Sequence, residues 1–323
     1  MLNNALIAQQ GSKASSFVPW AGQLQFATSA GVTNGFYKSV NYGVSWTSTP
    51  PAATLTWRDV ACSSTGKYVI VSRSTFGKLY VSSDYGVNYT SYGISSTYNK
   101  VACDSTGQYQ YAAAYTSSVF YKSTTYGATW SAAIIVTSSN DTVECDGTGQ
   151  YIIIGSSISA DYPYLSTDYG ATFNQITGVP GTGYVISAAL SSTGQYQYVF
   201  IYNFGIYVSS DYGSSWSVVF IDLSGTYQFN SMACDSTGQY LMAGNNLDNI
   251  YQSSSYGASL TNQGASSGAH YACQMTANGT YRLDSGRAAQ GIRLSSNSGS
   301  TYSTGLLILA SDVTGVALNT INA

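Results

Sequence analysis

Charge is what this sequence has least of. Its 323 residues include 11 Lys+Arg and 14 Asp+Glu, or 8% charged, against about 25% in an ordinary soluble domain. There is one glutamate, Glu144, and one histidine, His270. Long charged helix formers are therefore scarce, which disfavours amphipathic surface helices. A net charge of −3 with no basic block excludes a phosphate-tracking surface, so nucleic acid is not an expected partner. No run of about 20 apolar residues occurs, so no membrane insertion is expected. The opening MLNNALIAQQG lacks the basic start and apolar core of a secretory signal. A protein acting outside a cell would then arrive by another route, or after removal of a signal. No Cys-x-x-Cys pair, phosphate loop or EF-hand loop is present, so neither a metal nor a cofactor is expected.

The five cysteines do not read as a disulfide framework, since their number is odd. Cys62, Cys103, Cys145 and Cys234 each lie four residues before the glycine of a recurring Thr-Gly step, and Cys273 stands in the corresponding run of a further copy. They read as buried small hydrophobes at equivalent places of a repeat.

What is abundant is Tyr, at 30, with 33 Gly, 51 Ser and 32 Thr. Aromatics at 14% argue against disorder, and this mixture suits β-strands.

Self-comparison gives the main signal. One motif reads SVNYGVSW (39–46), SSDYGVNY (82–89), STTYGATW (123–130), STDYGATF (166–173), SSDYGSSW (209–216), SSSYGASL (253–260) and SSNSGSTY (295–302). Its glycines, Gly43, Gly86, Gly127, Gly170, Gly213, Gly257 and Gly299, are 41 to 44 residues apart. A second motif precedes each: AGQL, TGKY, TGQY four times, and NGTY. Each unit holds four short apolar-alternating runs separated by turn residues. Four strands in 40–45 residues is the pattern of a propeller blade.

The Ser-x-Asp-x-Gly-x-x-Trp motif resembles the Asp-box, or BNR, repeat found in sialidases, some glucan-cleaving glycosidases and sortilin-type receptors. The resemblance covers nearly the whole chain. The box Asp is kept at Asp84, Asp168 and Asp211, and is Asn, Thr or Ser elsewhere. These residues can all hydrogen-bond their own turn. The closing aromatics, among them Trp46, Trp130 and Trp216, are expected to plug the space between blades. The boxes are thus expected to be structural.

The expected fold is an all-β, seven-bladed β-propeller of four-stranded antiparallel blades, its ring closed by a strand from a chain terminus. Val316-Ala317-Leu318 matches Val60-Ala61-Cys62 in spacing and could supply that strand. Phe17-Val18 competes for the same role. Residues 1–16 then read as an extension or latch, and 17–323 as one domain.

Function is sought on the face carrying the varied connections, because binding residues favour loops on a rigid scaffold. Candidates there are Trp57, Arg58, Arg73, Tyr98, Tyr162, Tyr184, Tyr227, His270 and Arg287. This mixture suits stacking on sugar rings with polar reach to hydroxyls. A sialidase would need three converging Arg, a Tyr–Glu pair and an Asp acid. The first copy contains no Arg, and the single Glu sits beside Cys145. Asp59, Asp141, Asp161, Asp222 and Asp248 could supply a glycosidase pair, yet no spacing singles one out. The expectation is a non-catalytic recognition or display module on a virion, fibre or cell exterior, with a glycan or surface receptor as partner. A structural or self-assembling protein and a divergent glycosidase are the alternatives. A ring of box tyrosines, Tyr42, Tyr85, Tyr126, Tyr169, Tyr212 and Tyr256, is the one recurrent exposed feature; the last copy has Ser298 there.

Overall fold

The computed structural model describes residues 5–9, 24–29, 35–40, 47–73, 75–114, 119–135, 142–156, 162–181, 183–222, 224, 226–247, 249–265, 270–280, 282–286, 292–295 and 297–304. Among these residues there are 28 strands and no helix. The strands form four-stranded antiparallel meanders in chain order. The first sheet holds β1 (Ala5–Gln9), β2 (Gln25–Ser29), β3 (Phe36–Ser39) and β4 (Thr47–Ser48). The next holds β5 (Trp57–Cys62), β6 (Val69–Arg73), β7 (Gly77–Ser82) and β8 (Thr90–Ser96). Then come β9 (Tyr98–Cys103), β10 (Gln110–Ala114), β11 (Val119–Ser123) and β12 (Ser131–Ile135), followed by β13 (Thr142–Cys145), β14 (Ile152–Gly155), β15 (Tyr164–Ser166) and β16 (Asn174–Gln175). The chain continues through β17 (Val185–Leu190), β18 (Gln197–Ile201), β19 (Gly205–Ser209) and β20 (Ser217–Ile221). It ends in β21 (Phe229–Cys234), β22 (Leu241–Asn245), β23 (Asn249–Ser253) and β24 (Thr261–Ala265), then β25 (His270–Met275), β26 (Arg282–Gly286), β27 (Ile292–Ser295) and β28 (Ser303–Thr304).

The first strands of successive sheets pack side by side in a closed ring, β1 on β5, β5 on β9, and so on to β25 on β1. Second strands are covered on both faces by neighbouring blades. That is why QYAAA, IIIG, QYVFI and LMAGN are buried at every position, as continuous runs rather than alternations. Outer strands are wet: both residues of β16 are exposed. The core therefore lies between blades. Leu24, Phe26 and Phe36 of the first sheet pack with Trp57, Val60, Val69 and Val71 of the next. The pattern recurs around the ring.

The expected seven-bladed propeller is corrected here: the repeat builds six blades. Six blades, β5–β8 through β25–β28, are whole copies of the repeat. The sheet β1–β4 is not: its inner strand is Ala5–Gln9, linked to β2 by residues 10–24. In the repeat-built blades that link is short, as in residues 63–68. In other copies a backbone N–H closes the turn: Ser63 N donates to Tyr68 O at 2.9 Å, and Asp104 N to Tyr109 O at 3.0 Å. The sequence has Pro19 at that position, a residue without an N–H; Phe17-Val18 lies outside the described residues. The place foreseen for Val316–Leu318 beside β2 is held by β1; residues 305–323 lie outside the described set. Residues 1–16 therefore include a strand of the ring.

All five cysteines are free, and burial pushes the Cys62 thiol up to about 12. They are packing residues.

Candidate functional site

The varied face does not gather the nine sequence candidates into one site. Trp57 and Tyr98 are core residues, which corrects their assignment as ligand contacts. Trp57 is fully buried, edge-on to Tyr80 at 5.1 Å between ring centroids. Tyr98 is buried edge-on to Tyr121 at 5.6 Å. Arg58 is the extra residue of a bulge between Trp57 and Asp59. Arg73 donates to Thr75 Oγ1 at 3.2 Å and folds over Gly77, whose missing Cβ leaves room for the guanidinium. Tyr162 lies against Gly181, and Tyr184 sits 6.3 Å from Tyr202. Tyr227 belongs to an aromatic cluster with Phe220, Phe229 and Tyr251. His270 opens β25, with its side chain outside the described set, and Arg287 lies outside it altogether. Trp57, Arg58 and Arg73 share the blade β5–β8, and the other described candidates fall on further blades.

The two described carboxylates of the glycosidase set, Asp59 and Asp222, accept hydrogen bonds from the backbone. Asp59 is buried on the inner strand β5. Its Oδ1 accepts from Val60 N at 2.9 Å, and its Oδ2 from Val101 N of the next blade at 2.8 Å. Burial pushes its carboxyl up; the nearby Lys100 charge and these amides oppose that, and Glu144 adds to it. Asp222 is buried too, and accepts from Ser224 N and Oγ and from Tyr227 N. Such fully bonded carboxylates bolt loops and blades, whereas an acid–base pair needs reach to substrate. Asp141, Asp161 and Asp248 lie outside the described residues. Among the described residues no group of three His, Cys, Asp or Glu could hold a metal ion. No helix among them is long and apolar enough to cross a membrane.

The opposite, turn face is built with more regularity. In the five copies from β5–β8 to β21–β24 the first turn is closed by a Ser or Asp side chain: Tyr68 N donates to Ser63 Oγ at 3.1 Å, Tyr109 N to Asp104 Oδ1 at 2.9 Å, Tyr151 N to Asp146 Oδ1 at 3.0 Å, Tyr196 N to Ser191 Oγ at 3.0 Å, and Tyr240 N to Asp235 Oδ1 at 2.8 Å. One residue on, backbone bonds run from blade to blade. Ser64 N donates to Ser105 O, Ser105 N to Gly147 O, Gly147 N to Ser192 O, Ser192 N to Ser236 O, and Ser236 N to Ala277 O, each at 2.8 to 3.0 Å. This chain of bonds fixes the turns relative to one another.

The box turn sits above. Asp84 Oδ1 accepts from Ser82 Oγ, Val87 N and Asn88 N, and Oδ2 from Asn88 Nδ2. Burial alone would raise this carboxyl, but the Asn88, Ser82 and Val87 bonds outweigh it and bring it to about 2. Thr125 Oγ1 and Asn297 Oδ1 accept the same backbone N–H without a charge, from Thr129 and Thr301, each at 2.9 Å. Gly86, Gly127, Gly170, Gly213, Gly257 and Gly299 all hold positive φ. Gly43 and Trp46 lie outside the described residues. Trp130 and Trp216 donate their indole N–H to Gly127 O and Gly213 O, and pack into the clusters shared with the preceding blade.

The residue before each box glycine is left-handed as well: Tyr85, Tyr126, Tyr169, Tyr212 and Tyr256 have φ of 55–63°. Four of these rings lean onto the turn tyrosine of the preceding blade. Tyr126 pairs with Tyr68, Tyr169 with Tyr109, Tyr212 with Tyr151 and Tyr256 with Tyr196, at 4.5 to 5.5 Å. The box tyrosines remain 36–49% exposed. The turn face thus carries an arc of stacked, half-exposed tyrosine pairs.

The arc is interrupted in the last copy. Ser298 keeps the same backbone, with φ of 56°, but brings no ring to Tyr240. A pocket of about 300 Å³ opens there, lined by Tyr240, Gln252, Thr261, Gln263, Arg282 and Ser298. Arg282 is 1% exposed. Its guanidinium lies 5.0 Å from the Tyr240 ring centroid, and it donates to Gly279 O and Gln252 Oε1. The residues of this pocket escaped the search for binding residues. Their signal in the sequence was departure from the repeat, with Ser298 for Tyr and Arg282 where three other copies have Gln25, Gln110 and Gln197.

No family model matches the sequence, and no curated protein matches it. Solved structures do. A GH74 xyloglucanase from Xanthomonas campestris superposes with a TM-score of 0.70 at 13% identity, over 92% of this chain and 52% of the other. YCF48 from Cyanidioschyzon merolae gives 0.65 at 11% identity, over 93% and 98%. The fold is a β-propeller. A third structure, YCF48 bound to a D1 peptide, gives 0.54 at 13% identity over 77% and 80%. The propeller chain spans about half the length of the xyloglucanase. At such identities the likeness concerns the fold alone, and these neighbours include both a glycoside hydrolase and a peptide-bound protein.

Proposed function

We propose that this propeller is a non-catalytic recognition and display module, with the tyrosine arc of the turn face as its contact surface and a surface receptor or glycan as its partner. One observation carries this reading. Tyrosine recurs at five box positions whose left-handed backbone disfavours it by about 1–2 kcal/mol, yet its ring stays 36–49% exposed. Stacking offsets part of that cost, while the exposed face of each ring is the amphipathic kind that dominates contact surfaces. A peptide-bound neighbour of similar fold supports a protein partner. A low-charge surface rich in Ser, Thr and Tyr fits display outside a cell or on a virion or fibre.

The glycosidase alternative has less support, because Asp59 and Asp222 are held by backbone donors. The test applies the purified protein to glycan and receptor-ectodomain arrays. Two variants run beside it: Tyr126→Ser/Tyr169→Ser/Tyr212→Ser on the turn face, and Arg58→Ala/Arg73→Ala on the other. Binding lost only in the tyrosine variant is the expected result. Binding lost only in the arginine variant would move the contact surface to the varied face and overturn this reading.

A further inference from the structure

We infer that the gap at Ser298 is a socket for one aromatic side chain, a tyrosyl ring presented by a protein partner. It rests on the turn face being a contact surface, and it names a place on that face. The argument starts from the chain's own use of the site. At four blade junctions the turn tyrosine lies against the next blade's turn glycine and is stacked by that blade's box tyrosine. Tyr196, for example, has Gly238 against it and Tyr256 at 4.5 Å. At the last described junction the same parts are present except one. Tyr240 lies against Gly279, its backbone is capped by Asp235, and Ser298 N donates to Thr280 O just as Tyr256 N donates to Gln239 O. The second ring is missing, and the Arg282 guanidinium lies 5.0 Å from the Tyr240 ring centroid.

The space and its lining fit such a ring. About 300 Å³ exceeds the roughly 150 Å³ that suffices for benzene in an apolar cavity. Arg282 is a buried cation beside Tyr240, so an incoming π-face would meet both a ring and a guanidinium. Ser300, Thr261 and Gln263 at the wall offer hydroxyl and amide partners for a phenol. Residues 305–323, which follow the last described strand, contain no aromatic residue. A pyranose could also stack on Tyr240, but the site is shaped by removal of a tyrosine, and a tyrosine is the group it is built to receive.

The test titrates N-acetyl-tyrosinamide into the 15N-labelled protein and follows amide shifts around Tyr240, Arg282 and Gly299. N-acetyl-leucinamide and methyl glycosides serve as controls. Saturable shifts confined to this junction are expected, with the tyrosine compound alone. Ser298→Tyr restores the internal stack and should weaken binding by about tenfold or more, while thermal unfolding confirms that it folds. Tyr240→Ser removes the stacking floor from the other side and should also abolish the shifts. No saturable shift, or equal binding by Ser298→Tyr, would overturn the proposal. Saturation by a methyl glycoside instead would overturn the aromatic assignment in favour of a sugar ring. The Tyr126/Tyr169/Tyr212 variant leaves this socket intact, so failure of the arc and failure of the socket are read separately.

Discussion

The Tyr169 ring lies 4.7 Å from that of Tyr109, tilted by 30°, although the two belong to different blades. Tyr169 donates its backbone N–H to Gln150 O of its own blade at 3.1 Å, so one residue closes its own turns and clasps its neighbour. Gly149 makes this possible, because a Cβ there would stand 2.8 Å from the Tyr109 Cβ. A double-mutant cycle of Tyr109→Leu and Tyr169→Ser should give a coupling of about 0.5–1.5 kcal/mol in urea unfolding. Additive losses would mean that the rings merely lie near each other.

Asp59 joins two inner strands through one carboxylate. At the equivalent place Ser231 Oγ accepts from Cys273 N at 3.0 Å, and Thr142 Oγ1 donates to Val185 O at 3.1 Å. The ring thus accepts either a charged or a neutral bolt here. Asp59→Ala leaves the buried Val101 N–H without its acceptor and should destabilise the protein by about 1–3 kcal/mol. Asp59→Ser should recover part of that loss. Equal stability of Asp59→Ala and the parent would show that the inter-blade bond contributes nothing.

Most of the architecture was legible because the repeat is written twice per blade. The Thr-Gly and box motifs set both turns, and strands follow from the runs between them. The closure was not legible by counting, since Phe17-Val18 and Val316–Leu318 both have suitable spacing. What decides between them is the pairing of Ala5–Gln9 with β2, which only the structure displays. The site was harder still. Trp57 and Tyr98 look like sugar-stacking residues in a loop, yet a propeller buries the start of its inner strand between blades. Ser298 and Arg282 look like drift in a worn last copy, and become a pocket only when the stacked pairs of the other junctions are seen.

Acid should act on the boxes in a defined direction. Asp84, Asp168 and Asp211 all have lowered carboxyl pKa values. For Asp84 and Asp168 burial opposes ionisation and the turn bonds outweigh it; for Asp211 the Ser215 hydroxyl leads. A carboxyl lowered on folding contributes stability that is complete above its unfolded value near 3.8 and disappears as pH falls toward its folded value, about 2 for Asp84. Asp59 and Asp104, raised by burial, act in the opposite sense and soften the loss. The Asp84→Asn/Asp168→Asn/Asp211→Asn protein keeps the turn acceptor, as Asn297 does naturally, but has no charge to lose. Its stability deficit against the parent should shrink between pH 5 and pH 2 in urea titrations. A deficit that stays constant over that range would remove the boxes from the acid response.

The strand Ala5–Gln9 is where the ring is most exposed to test. It pairs with β2 along its length, Ala5 opposite Ser29 and Gln9 opposite Gln25, and it packs between β5 and β25. Removing it bares the β2 edge and opens the flank of both neighbouring inner strands, which invites edge pairing with other chains. Deletion of residues 1–9 should therefore lower the thermal midpoint markedly and promote association, read by scattering and by size-exclusion chromatography. Deletion of residues 311–323 should have a much smaller effect on either. The reverse pattern, with the C-terminal deletion opening the ring and the N-terminal one tolerated, would return the inner strand to Val316–Leu318. Adding the peptide corresponding to residues 1–12 to the N-terminally deleted protein gives a second check, because a strand that only completes a sheet should rescue the midpoint in trans.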